Sequence, residues 1–357
     1  MNRRLSTLAL AAIASGCALD ASSGEPALES AKAEGGALAA RLDEIAAQAG
    51  SFSPGTELGL AVWNLETGEW ASSGGDEPHV SASSAKAVWV AAALDGVGIA
   101  PVARHADPVF RLSDNYATGS VIDLIGPDAV NRFYWDRAGM GQSALTQWSY
   151  GKSRVASNSP RAMGSDNYFT AADAATFLGR AWLGELWADE RTGALLDWMT
   201  WSPRSGYGGW LGSRLPAAAR ITMRHKAGWL PPGCCSDDAT YNTLNEIGIV
   251  TVPDGPTYAV AILARRGHDY WGRQVRLVEL ASCEIYRAVA GDDALDCARP
   301  GDPAPAAGCG DVTYQGYCDG DTLVWCQADA IRSVDCAGRG KVCAWQDDSI
   351  GFNCLAP

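Results

Sequence analysis

Residues 81–97 read SASSAKAVWVAAALDGV and place a reactive pair at the start of an apolar helix. Ser83 and Lys86 are three positions apart, so a helix would carry both on one face, with the ammonium group beside the hydroxyl. Burial lowers the pKa of a lysine, which can then accept the serine proton. Free backbone N–H groups near a helix N-terminus stabilise the oxygen anion of an attacked carbonyl. The stretch therefore predicts Ser83 as a nucleophile and Lys86 as its base.

Two further motifs follow at separate places in the chain. Ser113-Asp114-Asn115 lies about thirty residues after Ser83, and His225-Lys226-Ala227-Gly228 lies on a predicted strand. Groups from two helices and one strand can converge on one carbonyl carbon. A positive charge on the strand would lower the free energy of an anionic transition state. Together the three motifs predict one active site.

The order S-x-x-K, S-D-N and a K-T-G-like triplet resembles the pattern of class A β-lactamases and penicillin-binding proteins. The resemblance covers roughly residues 40–291 and includes a first hairpin at 59–69 and the segment 125–130 after the second motif. It implies an α/β protein of the α+β type with the DD-peptidase/β-lactamase-like fold. That fold has an antiparallel five-stranded sheet flanked by helices. The short distance between the first two motifs implies a shortened helical lobe.

The resemblance also implies roles for individual residues. The catalytic set is Ser83, Lys86, Ser113 and Lys226, and the substrate-binding set is Asn115, Gly228 and Trp229. Ser83 would form the acyl-enzyme, and its N–H would make an oxyanion hole with the N–H of Trp229. Ser113 would pass a proton to the leaving group, and Asn115 would bind a substrate amide. Lys226 would maintain the local positive field and help to bind a carboxylate.

Three departures from the family pattern bear on turnover. Ala227 stands where the family has Thr or Ser, so a hydroxyl that would bind a β-lactam carboxylate is missing. Trp229 is bulky for its position. The Ω-loop region, Trp148–Tyr168, contains no Glu, the residue with which class A enzymes activate the deacylating water, and its one carboxylate, Asp166, resembles a structural aspartate. The sequence predicts an open cleft that acylates normally but turns over β-lactams inefficiently.

Patterns of apolar residues predict the main elements around these motifs. We expect helices at 40–49, at 87–94 and, closing the domain, at 275–289. We expect strands at 58–63, 69–71, 220–227, 243–252 and 258–264. A second Ser-Asp-Asn, at 165–167, is interpreted as a loop, and the tryptophans, Trp148 among them, are interpreted mainly as packing residues.

The N-terminus has the three parts of a bacterial signal peptide. Arg3 and Arg4 form a basic region, residues 5–13 are apolar, and Ala14-Ser15-Gly16-Cys17 resembles a lipoprotein cleavage site. We expect residues 1–16 to be removed, Cys17 to carry a lipid that anchors the protein to the membrane, and residues 17–39 to form a tether. The alternative is an ordinary secretory signal cleaved nearby. Either reading predicts export, and the lipid anchor predicts a location in the bacterial cell envelope.

The C-terminal region contains a small module rich in cysteine. A linker at 292–308, rich in Pro, Ala and Asp, separates the hydrolase domain at 40–291 from a module at 309–357. The module's six cysteines predict three disulfides, with the pairing left open: Cys309, Cys318, Cys326, Cys336, Cys343 and Cys354. Zinc is disfavoured because the module has no His and no CxxC pair. Four more cysteines lie in or just after the hydrolase domain, also with open pairing: Cys234, Cys235, Cys283 and Cys297.

Composition narrows the function classes. The net charge is −13 and no stretch collects Lys and Arg, so a nucleic-acid-binding surface is not expected. The four histidines are scattered without metal-ligand spacing, so neither a metal nor another cofactor is expected. The leading hypothesis is a serine hydrolase that acts on a β-lactam, an amide or an ester, with a small molecule or a peptide as substrate. The alternatives are a penicillin-binding, DD-peptidase-like enzyme with slow deacylation, or a non-catalytic surface lipoprotein whose cysteine-rich module contacts the cell wall.

Overall fold

The computed structural model describes residues 36–52, 55–159, 166–202, 209–231, 242–267, 273–299, 302, 316–327, 330–347 and 351–356. The predicted signal peptide, Cys17, Cys234, Cys235 and Cys309 lie outside these residues. Among the described residues no helix is both long enough and apolar enough to cross a membrane.

The helices occupy both ends and the middle of the hydrolase domain. They are α1 (Ala37–Ala47), α2 (Ala49–Phe52), α3 (Lys86–Val97), α4 (Ile99–Arg111), α5 (Asn115–Asp123), α6 (Pro127–Arg132), α7 (Ala171–Trp182), α8 (Glu190–Met199), α9 (Ala217–Thr222) and α10 (Arg273–Ala290). Short 3₁₀ turns cover Ala82–Ala85 and Trp210–Gly212, and a π-helical turn covers Phe133–Ala138.

The strands form one large sheet and several short pairs. In chain order they are β1 (Glu57–Asn64), β2 (Trp70–Ser73), β3 (His79–Val80), β4 (Gln147–Trp148), β5 (Arg154–Val155), β6 (Tyr168–Phe169), β7 (Arg224–Leu230), β8 (Asn242–Thr251) and β9 (Thr257–Gly267). The large sheet has the order β2-β1-β9-β8-β7, and every neighbouring pair is antiparallel. The predicted five-stranded antiparallel sheet is confirmed.

The sheet separates two apolar cores, and the alternation of residues along its strands explains why. On β9, Val260 and Ile262 belong to the core beneath α1 and α10, whereas Ala261 and Leu263 belong to the core beneath α3 and the helical lobe. Successive side chains of a strand point to opposite faces of the sheet. The stretch Ala259–Ala264 of β9 is apolar at every position and is therefore buried on both faces. Helices from both chain ends therefore cover one face, and the helical lobe covers the other.

Helix α3 runs through the middle of the second core. Its first nine residues, Lys86 to Leu94, are all buried. A helix that is apolar around its whole circumference is stable only inside a protein. Lys86, the first residue of this helix, is therefore enclosed as well.

One predicted strand begins later than expected. Residues 220–227 were expected to form a strand, but 217–222 form α9 and the strand β7 begins at Arg224. Pro216 precedes three alanines, and both the fixed φ of proline and the high helix propensity of alanine favour a helix here. Lys226 and Gly228 remain on the strand.

A disulfide and an ion pair attach the chain after α10 to the hydrolase domain. Cys283 on α10 is bonded to Cys297, fourteen positions later. The buried guanidinium of Arg214 donates to the carbonyl of Cys297 at 2.7 Å and forms an ion pair with Asp302. The start of the predicted linker is thus fixed by covalent and polar contacts, while the exact domain limits stay predictions.

Removing this disulfide should destabilise the hydrolase domain. We expect Cys283→Ala/Cys297→Ala to lower its free energy of unfolding by ~2–4 kcal/mol, because the bond limits the entropy of the unfolded chain. Denaturant unfolding followed by tryptophan fluorescence measures the change. The matched control is Cys318→Ala/Cys343→Ala, which should not change the denaturant concentration at which the hydrolase domain unfolds. Equal effects of the two double variants would contradict the expectation.

The C-terminal module consists of short strands joined by disulfides. It contains a three-stranded sheet of β10 (Tyr317–Asp319), β11 (Thr322–Gln327) and β12 (Ala330–Asp335), and a hairpin of β13 (Val342–Asp347) and β14 (Gly351–Leu355). Two disulfides connect the sheet region with the hairpin: Cys318–Cys343 and Cys336–Cys354. The module is therefore disulfide-bonded as predicted. A third bond stays a prediction.

Candidate active site

A cleft of about 620 Å³ lies between the turn at Ala82–Ala85 and the edge strand β7. Residues of the first two motifs line it, together with residues of the Ω-loop region and the three residues that follow the third motif. The lining is Val80, Ala82, Ser83, Leu112, Ser113, Asn115, Gln147, Trp148, Ser149, Tyr150, Asp166, Asn167, Trp229, Leu230 and Pro231. Lys226 of the third motif donates to Ser113 Oγ, so the three motifs, which lie between residues 83 and 228 of the sequence, meet at one site.

Ser83 lies on a tight turn that presents it to the cleft. The turn, Ala82–Ala85, precedes α3, and Ala82 has a φ of 48°, which is uncommon for a residue other than glycine. Ser83 is partly exposed, whereas the neighbouring Ser84 is buried and its hydroxyl donates to the carbonyl of Ser81 at 2.5 Å. Only Ser83 of this serine pair can therefore meet a substrate.

The sheet holds this turn from two sides. A Cβ atom at Gly228 would lie 2.5 Å from the N atom of Ser84 and 3.0 Å from the N atom of Ser83, so only glycine allows β7 to approach so closely. Asn245 of β8 donates from its amide nitrogen to the carbonyls of Val80 at 2.9 Å and Ser81 at 3.1 Å. The position of the Ser83 N–H is therefore fixed by the sheet.

Lys86 contacts the second motif rather than Ser83. Its Nζ atom donates to the carbonyl of Ser113 at 2.5 Å, to the hydroxyl of Ser113 at 3.2 Å and to Oδ1 of Asn115 at 2.6 Å. Among the hydrogen bonds of the described residues, none joins Lys86 to Ser83. The helix-face argument placed the two residues together, but the turn leaves the Ser83 hydroxyl available to a substrate.

The surroundings of Lys86 favour its neutral form. Burial, followed by the nearby charge of Lys226, lowers the pKa of Lys86 to about 6, while Asp114 opposes the change. The indole of Trp148 covers the amine, with its ring centroid 5.3 Å from Nζ, and its Nε1 donates to the carbonyl of Asn115 at 3.1 Å. A lysine with this pKa is a competent base near neutral pH.

Ser113 lies between the two lysines. Its hydroxyl accepts from Lys86 Nζ at 3.2 Å and from Lys226 Nζ at 3.1 Å. Its φ of 53° is unusual for serine, and the next residue, Asp114, caps α5 by accepting from the N–H of Ala117 at 2.6 Å. Strained backbone of this kind persists where surrounding contacts enforce it. The cap and the lysines together orient the Ser113 hydroxyl.

Lys226 is buried behind Ser113 and does not line the cleft. Burial lowers its pKa to about 7, and the carboxylate of Glu246 opposes this change. Its Nζ also donates to the carbonyl of Ala227 at 2.8 Å. The preceding residue, His225, lies with Nδ1 3.2 Å from Glu246 Oε2.

The remaining predicted residues lie at the rim and back of the cleft. Asn115 and Trp229 line it, and the indole N–H of Trp229 donates to Oδ1 of Asn242 at 2.8 Å. Ala227 is 1% exposed, packs in the core beneath the terminal helices and is not among the lining residues. This position thus offers no hydroxyl to a ligand.

Sequence reasoning missed several residues that shape the cleft. Asp166 and Asn167 belong to the second Ser-Asp-Asn, which was interpreted only as a loop, yet both line the cleft. Asn167 Oδ1 accepts from the N–H groups of Thr146 at 2.7 Å and Gln147 at 3.1 Å, which fixes this wall. Trp148 was interpreted as packing, but it covers the candidate base. A second occurrence of the motif was the only sequence signal that could have pointed to Asp166 and Asn167.

Comparison with known proteins places the chain in a family. A sequence profile described as the β-lactamase enzyme family matches residues 99–289, which contain Ser113, Asn115 and Lys226. The Ser83-to-Lys86 motif precedes the matched segment. No curated protein sequence matches the chain.

Solved structures share the fold at low sequence identity. A mutant of PBP-A, determined as its acyl-enzyme complex with penicillin G, is 23% identical over 71% of this chain and 97% of its own, with a TM-score of 0.55. A mutant of the class A β-lactamase of the last common ancestor of Gram-negative bacteria is 21% identical over 71% and 99%, with a TM-score of 0.57. The β-lactamase from Sphaerobacter thermophilus is 19% identical over 70% and 98%, with a TM-score of 0.56. The profile match spans more than half of the chain, and with this fold it shows that the chain belongs to the β-lactamase enzyme family.

Proposed function

We propose that the protein is a serine hydrolase that forms an acyl-enzyme at Ser83. The observation that carries the proposal is the convergence of two buried lysines on one hydroxyl beside that serine. Lys86 and Lys226 donate to Ser113 Oγ at 3.2 and 3.1 Å, and both Ser113 and Ser83 line the cleft. A buried pair of amines with lowered pKa values is costly to fold and is typical of a site that moves protons.

Acylation would proceed by a balanced exchange of bonds. Neutral Lys86 takes the proton of Ser83 as Oγ bonds to the carbonyl carbon of a lactam, amide or ester. The N–H groups of Ser83 and Trp229 stabilise the oxygen anion, and Asn115 binds the acyl portion. As the bond to the leaving group breaks, the proton moves from Lys86 through the hydroxyl of Ser113 to that group. Lys226 supplies positive charge to the developing anion.

Deacylation is proposed to be slow with β-lactams, which makes a penicillin-binding, DD-peptidase-like enzyme the second candidate. The region 148–168 has no Glu, and Trp148 covers Lys86, so an apolar ring occupies the space beside the amine. An apolar side chain cannot deprotonate or orient the water that cleaves the acyl-enzyme.

Incubation with a reporter cephalosporin and with a fluorescent penicillin distinguishes these candidates. Colour change measures turnover, and intact mass measures the adduct, with Ser83→Ala as the control. A stable adduct that needs Ser83 supports slow deacylation, and rapid turnover that needs Ser83 supports a β-lactamase. If no lactam and no activated ester acylates Ser83, the proposal fails and the non-catalytic binding alternative replaces it.

The rate of acylation should have a bell-shaped dependence on pH. It should rise as pH increases through about 6, because Lys86 must be neutral to accept a proton, and fall through about 7, because Lys226 must be charged. Both amines contact Ser113, so the two apparent pKa values of this profile describe the coupled pair of lysines and not either lysine alone. In Lys226→Gln the rising limb should move to higher pH, since the lost charge had lowered the pKa of Lys86. A rate independent of pH between about 5 and 9 would contradict this assignment.

We further propose that the protein is anchored in the bacterial cell envelope by a lipid on Cys17, with the cysteine-rich module free to contact the cell wall. The support is the sequence Ala14-Ser15-Gly16-Cys17 after a basic and then an apolar segment. Incorporation of labelled palmitate into the wild-type protein but not into Cys17→Ser tests the anchor. Equal labelling of both proteins would rule it out.

A further inference from the structure

We propose that the substrate is an uncharged acyl donor with an aromatic acyl group, rather than a carboxylate-bearing lactam or peptide. The inference rests on the proposed acyl-enzyme chemistry and adds the substrate class. It follows from the charges that line the cleft, from a hydroxyl that β7 does not provide, and from a continuous set of aromatic contacts at the mouth.

The charges of the cleft disfavour an anionic ligand. Among its lining residues in the described part of the chain there is no Arg or Lys, and the one charged residue is Asp166, which is 2% exposed. An anionic group bound here would be desolvated beside a carboxylate, which raises its free energy. The described part of the wall therefore disfavours a substrate carboxylate.

Neither lysine of the site compensates for this. Lys226 is 1% exposed, and its Nζ already donates to Ser113 Oγ and to the carbonyl of Ala227. Lys86 is likewise enclosed, with Ser113 and Asn115 as acceptors. Ala227 supplies no hydroxyl that could bind a carboxylate. The positive charge is thus directed at the reacting atoms and not at a recognition group.

Aromatic side chains extend from the buried helix α3 to the mouth of the cleft. The ring of Trp148 lies 5.1 Å from that of Trp89 and 5.0 Å from that of Tyr150, which in turn lies 6.4 Å from the ring of Tyr116. Tyr116 is 67% exposed and Leu112, just before Ser113, is 60% exposed. Apolar side chains exposed together beside a reactive group indicate a binding surface. Edge and tilted ring contacts of this kind extend readily to an aromatic ligand.

The proposed reaction of a thioester probe balances in two steps. Ser83 Oγ bonds to the acyl carbon as the C–S bond breaks, and the serine proton reaches the departing sulfur through Lys86 and Ser113. Water then cleaves the serine ester, which releases the carboxylic acid and restores the hydroxyl.

Two thioesters of phenylacetic acid test the charge preference with the full chain. One has mercaptoacetate as its leaving group and the other has mercaptoacetamide; because these thiols differ in acidity as well as in charge, each kcat/KM is divided by the rate constant of uncatalysed hydrolysis of that thioester. We expect this quotient to be higher for the uncharged thioester by about tenfold or more, because the carboxylate of the other would lose its hydration beside Asp166. In Asp166→Asn this ratio should fall. Both thioesters form the same phenylacetyl-enzyme, so the ratio of their kcat/KM values does not depend on deacylation.

A separate pair of variants tests the preference for an aromatic acyl group. Tyr150→Ala should lower the ratio of kcat/KM for the phenylacetyl thioester to kcat/KM for the acetyl thioester by about tenfold. Tyr317→Ala removes an exposed tyrosine of the C-terminal module and should change neither of these kcat/KM values. Faster reaction of the anionic thioester, or no loss in Tyr150→Ala, would overturn this inference while acylation of Ser83 stands. If neither thioester acylates Ser83 while a penicillin does, this inference fails and the proposed function stands; if no acyl donor acylates Ser83, the proposed function itself fails.

Discussion

Ser83→Ala is expected to lower kcat/KM for any acyl donor by about 10⁴-fold or more and to abolish the covalent adduct. The variant removes one partly exposed hydroxyl and no hydrogen bond of the described residues, so the fold should be retained. Circular dichroism and thermal unfolding check the fold, and intact mass checks the adduct.

Ser84→Ala is the matched control for this variant. Ser84 is the next residue, but it is buried and its hydroxyl is bound to the carbonyl of Ser81. The adduct should therefore form in Ser84→Ala. Loss of the adduct in Ser84→Ala together with its persistence in Ser83→Ala would reverse the assignment of the nucleophile.

Lys86→Met is expected to lower the acylation rate by about 10²–10⁴-fold, the usual contribution of a general base. Methionine fills a similar volume but cannot accept a proton. Lys86→Arg should not restore the rate, because a guanidinium stays protonated at any pH at which the protein is folded. Stopped-flow acylation by an activated ester measures both variants.

An exposed lysine provides the comparison. Lys152 lies in the Ω-loop region with its side chain 64% exposed and ion-paired to Asp123 at 3.1 Å. Lys152→Met should keep the wild-type acylation rate. A large rate loss in this variant, or wild-type activity in Lys86→Arg, would show that the effect of Lys86 is not that of a base.

Much of the fold could be predicted because it depends on local periodicity. Helix α3 is apolar on all sides from Ala87 to Leu94, β9 is apolar at every position from Ala259 to Ala264, and both patterns are visible in sequence. The start of β7 was misjudged, since Pro216 and the following alanines favour a helical turn that alternating residues 220–227 did not reveal. Boundaries of this kind depend on a few residues, whereas whole elements depend on many.

The sequence predicted three motifs for the candidate site, but it did not predict their contacts or the cleft positions of Trp148, Asp166 and Asn167. The three motifs identified Ser83, Ser113 and Lys226, but a sequence gives no distance between residues far apart in the chain. The contact of Trp148 with Lys86 and the cleft position of Asp166 arise from tertiary packing. Likewise, the positive φ values of Ala82 and Ser113 are imposed by neighbouring elements, since neither residue prefers that conformation.

Ser83 is proposed to be the residue that becomes acylated. A brief exposure of the protein to 4-nitrophenyl phenylacetate at a pH between about 6 and 7, followed by acid quench, digestion and tandem mass spectrometry, locates the acyl group directly. We expect one phenylacetyl group on the peptide that contains Ser83, assigned to Ser83 itself and absent from Ser83→Ala. A phenylacetyl group on another residue at equal yield in Ser83→Ala, with none on Ser83 in the wild-type protein, would contradict it.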